Sequence, residues 1–428
     1  MNKGLVMAGA AAVLGLAGTA SATQSRINSV GGDIKNFTFL DERNIFHLPA
    51  ELVKYGGWAG IQTADANTGT LSSFGFHYNF TPTVVLAIYG TTGAIPGITL
   101  DSAATGGDDG IRFAGTAAGI RGIHQGSGTS NVGDGGVMHK GTVMLGLDLG
   151  SARLGFLLAG YGDKETARDD NDENTTNQGP FHMDLGVGLG VDTSIGALDF
   201  ALDIGVGIPT DEGPDGDGVA EPKTEGKQID VGLLFRGTFA FSGPHELVPY
   251  VDLDLAFADS QDVITDDAPV HSGIGFSTVA GMDIRLNLED GITVQPGFGI
   301  FGNVVTSSID DGDDNAVEKE SVSQFGFFYN LAVDVKVWEW LDIRFGGRQH
   351  FYWNWTDGTE FDGDIVAGKT TSASVNHFIS TGVGFNLPAG VSLDIDVNTG
   401  WWQNGPDFIT GAGGAGGFGL SAALSKDW

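Results

Sequence analysis

The stretch FHMDLGVGLGVDT at residues 181–193, continued by SIGALDFALDIGVGI at residues 194–208, decides the fold of this chain. In both halves every second side chain is large and apolar, and the residues between them are mainly Asp, Gly, Ala or His. Successive side chains of an extended strand point to opposite faces, so each half has one apolar face. A tight connection at residues 193–196 joins the halves. The stretch therefore predicts a β-hairpin with one apolar face.

The same alternation recurs along most of the chain. It is found in paired segments at residues 143–158, 229–257, 276–300, 325–345 and 379–397. Long polar connections lie near residues 91–136, 163–180, 209–227, 259–271, 306–320, 356–371 and 401–412. With weaker segments before residue 91 and a terminal segment, the pattern gives about sixteen strands, within a range of about 14 to 18. We therefore predict an all-β fold, a transmembrane antiparallel up-and-down β-barrel with short turns at one end and long loops at the other.

The composition agrees with a barrel and limits the partners. The chain has 428 residues, of which 70 are Gly and only 18% are charged, and it contains no Cys. Its 54 acidic and 21 basic side chains give a formal net charge of −33. Such an acidic chain repels nucleic acid and anionic headgroups, so cations and small solutes are the expected partners, with no nucleic acid among them.

The first residues have the pattern of a signal peptide, predicted to span residues 1–22. Lys3 precedes an apolar run from Leu5 to Leu16, and Ala-Ser-Ala at residues 20–22 has the small side chains of a cleavage site. The mature chain is expected to start near Thr23. Without Cys there is no site for lipid attachment. Export then leads to the periplasm, the outer membrane or the medium.

These features together resemble a bacterial outer-membrane β-barrel of porin type, over about residues 56–428 and ending in the aromatic Trp428. The resemblance implies the outer membrane of a Gram-negative bacterium, with short periplasmic turns and long extracellular loops. It also implies contact with the lipid bilayer and lipopolysaccharide, insertion by the barrel assembly machinery and, as one option, a homotrimer. Residues 23–55 are then either an N-terminal periplasmic segment or a small plug. Within them, Pro49 is placed to begin a short helix over Ala50–Tyr55.

The inward face of such a barrel is its functional surface. The predicted pore-lining residues are Asp184, Asp199, Asp203, Asp230, Arg236, Asp252, Asp254, Asp283, Arg285, Asp342, Arg344, Arg348, Asp394 and Asp396. A mixed cluster near the short turns is expected to form structural ion pairs: Asp283, Arg285, Asp334, Lys336, Asp342 and Arg344. The acids expected to have few basic neighbours, and so to act on solutes, are Asp199, Asp203, Asp252, Asp254, Asp394 and Asp396.

Three functions fit this interpretation. The first is passive diffusion of small hydrophilic solutes with a preference for cations, because a ring of carboxylates concentrates cations in a low-dielectric channel. The second is a plugged barrel of the fatty-acid-transporter type that carries hydrophobic compounds, which the inward apolar residues Leu234, Val279, Phe328 and Phe378 would allow. The third is a non-conducting structural or surface-binding barrel.

Motifs for catalysis or for a metal are not found in the sequence. It lacks G-x-S-x-G, H-E-x-x-H and a phosphate-binding G-x-x-x-x-G-K-[ST]. Asp311, Asp313 and Asn315 match the first ligands of a helix-loop-helix calcium site, but Ala316 and Val322 stand where Gly and a bidentate Glu are needed. We therefore predict no enzyme, no metal site and no cofactor, and interpret the acidic loop segments at residues 169–174, 211–218 and 310–315 as solvated.

Overall fold

The structure is a computed structural model in which the described residues form one closed antiparallel barrel. These residues are 42–62, 72–92, 98–100, 111–113, 139–168, 174–208, 210–211, 224–262, 270–288, 291–310, 317–359, 368–397 and 420–427. The predicted signal peptide, the calcium-like pattern and most of the three acidic loop segments lie outside them.

Sixteen of the described strands form the wall, which confirms the predicted fold. The strands are β1 (Trp58–Gln62), β2 (Ser72–Thr81), β3 (Val84–Thr92), β4 (Ile98–Leu100), β5 (Ile111–Phe113), β6 (His139–Asp148), β7 (Ala152–Arg168), β8 (Asn174–Thr193), β9 (Gly196–Ile208), β10 (Thr210–Asp211), β11 (Thr224–Ser242), β12 (His245–Asp262), β13 (Val270–Leu288), β14 (Ile292–Asp310), β15 (Val317–Trp338), β16 (Leu341–Thr359), β17 (Gly368–Leu387), β18 (Val391–Val397) and β19 (Leu420–Asp427). Neighbours in the chain pair along the wall, and β19 pairs with β1 to close it. The two-residue β10 extends this sheet beside β11, and β4 pairs with β5 in a separate ribbon.

Closure leaves no unpaired strand edge in the described wall, which is the requirement for strands that cross a lipid bilayer. The predicted faces are also confirmed. Leu185 is 50% exposed on the outer face, whereas its neighbour Asp184 is fully buried inside. Among the described residues, no helix is long and apolar enough to span a membrane.

Several strands extend beyond the predicted membrane crossings, which corrects the predicted loop boundaries. β15 has 22 residues, and β7 and β8 continue their pairing through Arg168 and Asn174, inside the connection predicted at residues 163–180. Backbone pairing between adjacent strands continues after the apolar alternation stops, because polar side chains in water can occupy both faces of a hairpin. Hydrophobic periodicity therefore marks the lipid-embedded part of each strand, not its full length.

Aromatic side chains mark the short-turn end. Trp338 and Trp340 flank the turn between β15 and β16, with ring centroids 5.3 Å apart in a stacked arrangement. Phe385 of β17 stacks on Trp340 at 6.2 Å. Both Trp side chains are at least half exposed on the outer surface. Such amphipathic rings are typical of the boundary between hydrocarbon and headgroups.

The outer face provides a direct test of membrane embedding. We expect Leu185→Arg to destabilise the inserted barrel by about 2–4 kcal/mol, because a charged side chain would lie near the bilayer midplane. Ile195→Arg is the matched control, since Ile195 lies in the short turn after β8, where the expected cost is about 0–1 kcal/mol. Unfolding from liposomes by denaturant measures both. Equal losses of stability would contradict the assigned depth.

Candidate functional site

Residues 42–56, here called the inner segment, lie inside the barrel. The segment consists of two 3-10 helices, Glu42–Phe46 and Pro49–Tyr55, the second beginning at Pro49 as predicted. Ile45, Leu48 and Leu52 are fully buried, and the second helix contacts β3, β6, β7 and β8. Residues 42–55 thus contact the inward face of the wall, and residues 23–41 of the predicted N-terminal segment lie outside the described residues.

Inward glycines make room for the inner segment. A Cβ atom added to Gly155 would lie 2.0 Å from the carbonyl carbon of Pro49, and one added to Gly188 would lie 2.7 Å from the backbone nitrogen of Ala50. Real side chains cannot approach backbone this closely. The inward glycines of β7 and β8 therefore allow a second backbone to contact the wall.

Two apolar clusters hold the segment against different arcs of the wall. The first joins Ile45, Phe46 and Leu52 to residues of β1, β3, β6 and β7. Within it, the ring of Phe46 meets that of Tyr89 edge-on at 4.7 Å. The second cluster contains Leu48 and is otherwise formed by residues of β9, β11, β12, β13 and β15: Ala201, Leu234, Tyr250, Val279 and Phe328. The segment therefore bridges the interior between distant strands.

A buried carboxylate fixes the segment electrostatically. Glu51, with no exposed surface, lies 3.4 Å from Arg236 and 3.8 Å from Arg153 of the wall, and 2.7 Å from its helix neighbour Lys54. Burial alone would raise the pKa of the Glu51 carboxyl, but the three cations outweigh burial and lower it to about 2. Glu51 is therefore ionised at neutral pH and binds the segment to the wall.

Most predicted pore-lining residues are buried on the inward face. Those with less than a tenth of their surface exposed are Asp184, Asp199, Asp203, Asp230, Arg236, Asp252, Asp254, Asp283, Arg285, Arg344, Asp394 and Asp396. Asp342 and Arg348 are partly exposed. Buried carboxylates require compensating partners, so these positions do not form a simple water-filled ring in this structure.

Two of the acids expected to have few basic neighbours are in fact paired. Asp199 accepts a hydrogen bond from Arg236 at 2.6 Å and lies 3.4 Å from Arg153. Asp394 lies 2.5 Å from Arg344. That expectation was wrong because the partners are on other strands, and the register of those strands could not be read from local sequence.

The mixed cluster near the short turns forms side-chain pairs, as expected. Besides Asp394, Arg344 contacts Asp342 at 3.5 Å and Asp334 at 3.6 Å. Asp283 and Arg285 also contact residues outside the predicted cluster. Arg285 pairs with Glu246, and Asp283 accepts a hydrogen bond from Gln295 at 2.8 Å.

Sequence reasoning missed three residues of the site: Leu48, Glu51 and Arg153. Arg153 has the inward parity of β7, which was the available signal, and it also donates to Asp192 at 2.6 Å. Leu48 and Glu51 carry no periodic signal, because the inner segment is short and contacts strands far along the chain. Within the described ranges, no group of three His, Cys, Asp or Glu side chains is placed to hold a metal ion.

A closed antiparallel barrel with an apolar outer face, interfacial aromatics and a charged interior is the architecture of outer-membrane proteins. The chain is an outer-membrane β-barrel protein. Neither a protein-family model nor a curated protein sequence matches it.

Solved outer-membrane barrels are similar to it at low identity. The siderophore receptor PirA from Acinetobacter baumannii is 9% identical with a TM-score of 0.34, over 87% of this chain and 81% of that one. The alcaligin receptor FauA from Bordetella pertussis is 8% identical with a TM-score of 0.39, over 87% and 75% of the two chains. The ferric yersiniabactin receptor FyuA from Yersinia pestis is 8% identical with a TM-score of 0.36, over 87% and 80%. Values this low carry no inference about a ligand of this barrel.

Proposed function

We propose that this outer-membrane barrel transports small solutes through a lumen that the inner segment closes at the short-turn end. Solute passes when the segment moves away from the wall. The observation that carries the proposal is the position of Glu51, buried between Arg153 and Arg236, with apolar clusters on both sides of it. A barrel of about sixteen strands otherwise leaves an aqueous channel.

Gated transport fits the interior better than the passive diffusion expected from sequence. Passive diffusion needs carboxylates in contact with a continuous column of water. Asp184 and Asp252 have 0% and 1% of their surface exposed, and Leu48 is fully buried among wall residues. These observations support a closed resting state.

The charged groups at the contact between the wall and the inner segment keep partners when the segment moves away. When Glu51 leaves its position between the two arginines, Arg236 keeps its ion pair with Asp199 at 2.6 Å and Arg153 keeps its ion pair with Asp192 at 2.6 Å. Glu51 in turn regains water and keeps Lys54 as its neighbour. No buried charge is then stranded, which limits the free energy of opening, because stranding a buried charge costs about 3–5 kcal/mol. A reversible gate is therefore favoured over a permanent plug.

The opened lumen would expose the inward acids to solute. We propose that Asp203, Asp230 and Asp254, which lie on adjacent strands, then favour cations over anions by their fixed charge. The proposal involves passage and selection, with no catalytic step.

A reversible crosslink tests the gate. A Cβ atom on Gly146 would lie 3.2 Å from Cβ of Leu52, close to the separation of about 3.5–4.5 Å in disulfides. Because the native chain has no Cys, the double variant Leu52→Cys/Gly146→Cys carries only these two thiols. We expect proteoliposomes containing the reduced variant to take up a pentose sugar, and oxidation to abolish that uptake.

The single variant Leu52→Cys, treated with the same oxidant, is the matched control and should keep its uptake. Equal uptake by the reduced and oxidised double variant would mean that solute passes without movement of the segment. Absence of uptake in both states, with the barrel correctly inserted, would contradict transport.

A further inference from the structure

The contact of Leu48 with the wall occupies an apolar surface that has no charged member, here called the Leu48 seat. Its wall residues are Ala201, Leu234, Tyr250, Val279 and Phe328, with Phe301 packed at its edge. Within the described residues, this is a predominantly apolar patch on an inward face that otherwise carries many carboxylates and glycines. Water would contact this patch whenever the inner segment moved away.

Two aromatic rings of the seat lie against glycines on neighbouring strands. A Cβ atom on Gly299 would lie 2.5 Å from Cζ of Phe328, and one on Gly326 would lie 2.6 Å from Cζ of Phe301. Each ring therefore lies across the backbone of the next strand, where any larger residue would displace it. The wall itself therefore helps to position both aromatic rings of the seat.

Cationic and polar side chains of β16 border the seat. The guanidinium carbon of Arg348 lies 4.7 Å from the centroid of the Phe328 ring. The His350 ring is 5.5 Å from Phe328 and 5.4 Å from Phe301. Arg348, His350 and Phe301 are partly exposed, whereas Phe328 is buried. An apolar surface thus adjoins a guanidinium and an imidazole.

We propose that the Leu48 seat is a binding site for a small aromatic carboxylate, whose ring replaces Leu48 and whose carboxylate binds at Arg348. The inference rests on the proposed gate. Flat rings favour a second aromatic ring by offset or edge-on packing. A guanidinium has five N–H donors in a planar fork, so it can hold a ligand carboxylate in addition to its contacts with the wall.

Competition for the seat would couple binding to opening. Leu48 and the ligand ring cannot occupy the same surface, so the ligand binds only the state in which the segment has moved. A ligand that binds one of two states shifts the population toward that state. The aromatic carboxylate would therefore act as the signal that opens the barrel.

Calorimetric titration of the detergent-solubilised full chain with phenylacetate tests the site. Leu48→Ala weakens the competitor, and we expect it to tighten phenylacetate binding by about tenfold or more. Arg348→Gln should weaken binding by about tenfold, since it removes the charged partner of the carboxylate. Lys227→Gln, at an exposed cation of β11, is the matched control and should leave the affinity unchanged.

Two further ligands distinguish the contribution of the aromatic ring to the affinity from that of the carboxylate charge. Acetate tests the charge alone and phenethylamine tests the ring with the opposite charge, and both should bind at least tenfold more weakly than phenylacetate. Equal affinities for phenylacetate and acetate, or a Leu48→Ala variant that binds phenylacetate no better than the native chain, would overturn the proposal. Titration in detergent measures binding without transport. Loss of uptake on crosslinking together with no binding of phenylacetate would therefore overturn the site while leaving the gate intact.

Discussion

Replacing Glu51 by Gln should raise the rate of pentose uptake into proteoliposomes by about 30- to 100-fold. The change removes the charge that holds the inner segment between Arg153 and Arg236. Truncating one member of a buried charge pair costs about 2–5 kcal/mol, and we expect about 2–3 kcal/mol here because both arginines keep an aspartate partner on the wall. Each 1.4 kcal/mol shifts the ratio of closed to open states about tenfold.

Glu339→Gln is the matched control for this variant. Glu339 is exposed in the turn between β15 and β16, away from the inner segment, so its loss should leave uptake unchanged. Acidification should reproduce the effect in the native chain. The Glu51 pKa is lowered from its ordinary value near 4.5 to about 2 in the closed state, so the stabilisation is complete above pH 4.5 and is lost as the pH falls toward 2. An acid response that persisted unchanged in Glu51→Gln would assign opening to another group.

Substituting Gly155 by Ala should open the barrel by a steric route. The added Cβ would meet the backbone of Pro49 at 2.0 Å, and a backbone atom cannot rotate away as a side chain can. Overpacking of this kind costs about 1–3 kcal/mol, which corresponds to uptake increased by about 5- to 100-fold. The barrel wall itself should remain stable, because Ala is tolerated in strands.

Gly141→Ala is the control for this substitution, since a Cβ there would have no atom within 4 Å. Both variants are measured by liposome swelling and by denaturant unfolding. Unchanged swelling for Gly155→Ala would mean that the contact of Pro49 with β7 does not limit passage. Increased swelling in both variants would indicate general leakiness of the barrel.

The barrel could be predicted from sequence because its determinants are local. Alternation such as Leu185-Gly186-Val187 assigns each side chain to a face without knowledge of any other strand. Counting the alternating segments that the turns and loops separate then gives the number of strands. The residues near Arg168 that extend β7 beyond the lipid lack this alternation, so the sequence predicts a loop there.

The interior could not be predicted in the same way, because its determinants are contacts between distant strands. Leu48 and Phe328 belong to one cluster, and Asp199 pairs with Arg236, through registers that alternation does not fix. The inward glycines illustrate the ambiguity. The sequence alone cannot tell a glycine that borders open water from one that lies beneath a ring or a second backbone. Only the contact with Pro49 in the structure shows that Gly155 is of the second kind.

Single-channel recording in planar bilayers tests the central claim, which is that the inner segment gates the lumen. A gate predicts that the native chain rests in a closed state with brief openings. It also predicts that Glu51→Gln raises the open probability while the current of each opening stays the same. A native chain that conducted continuously, with Glu51→Gln altering the size of the current but not the time spent open, would contradict gating.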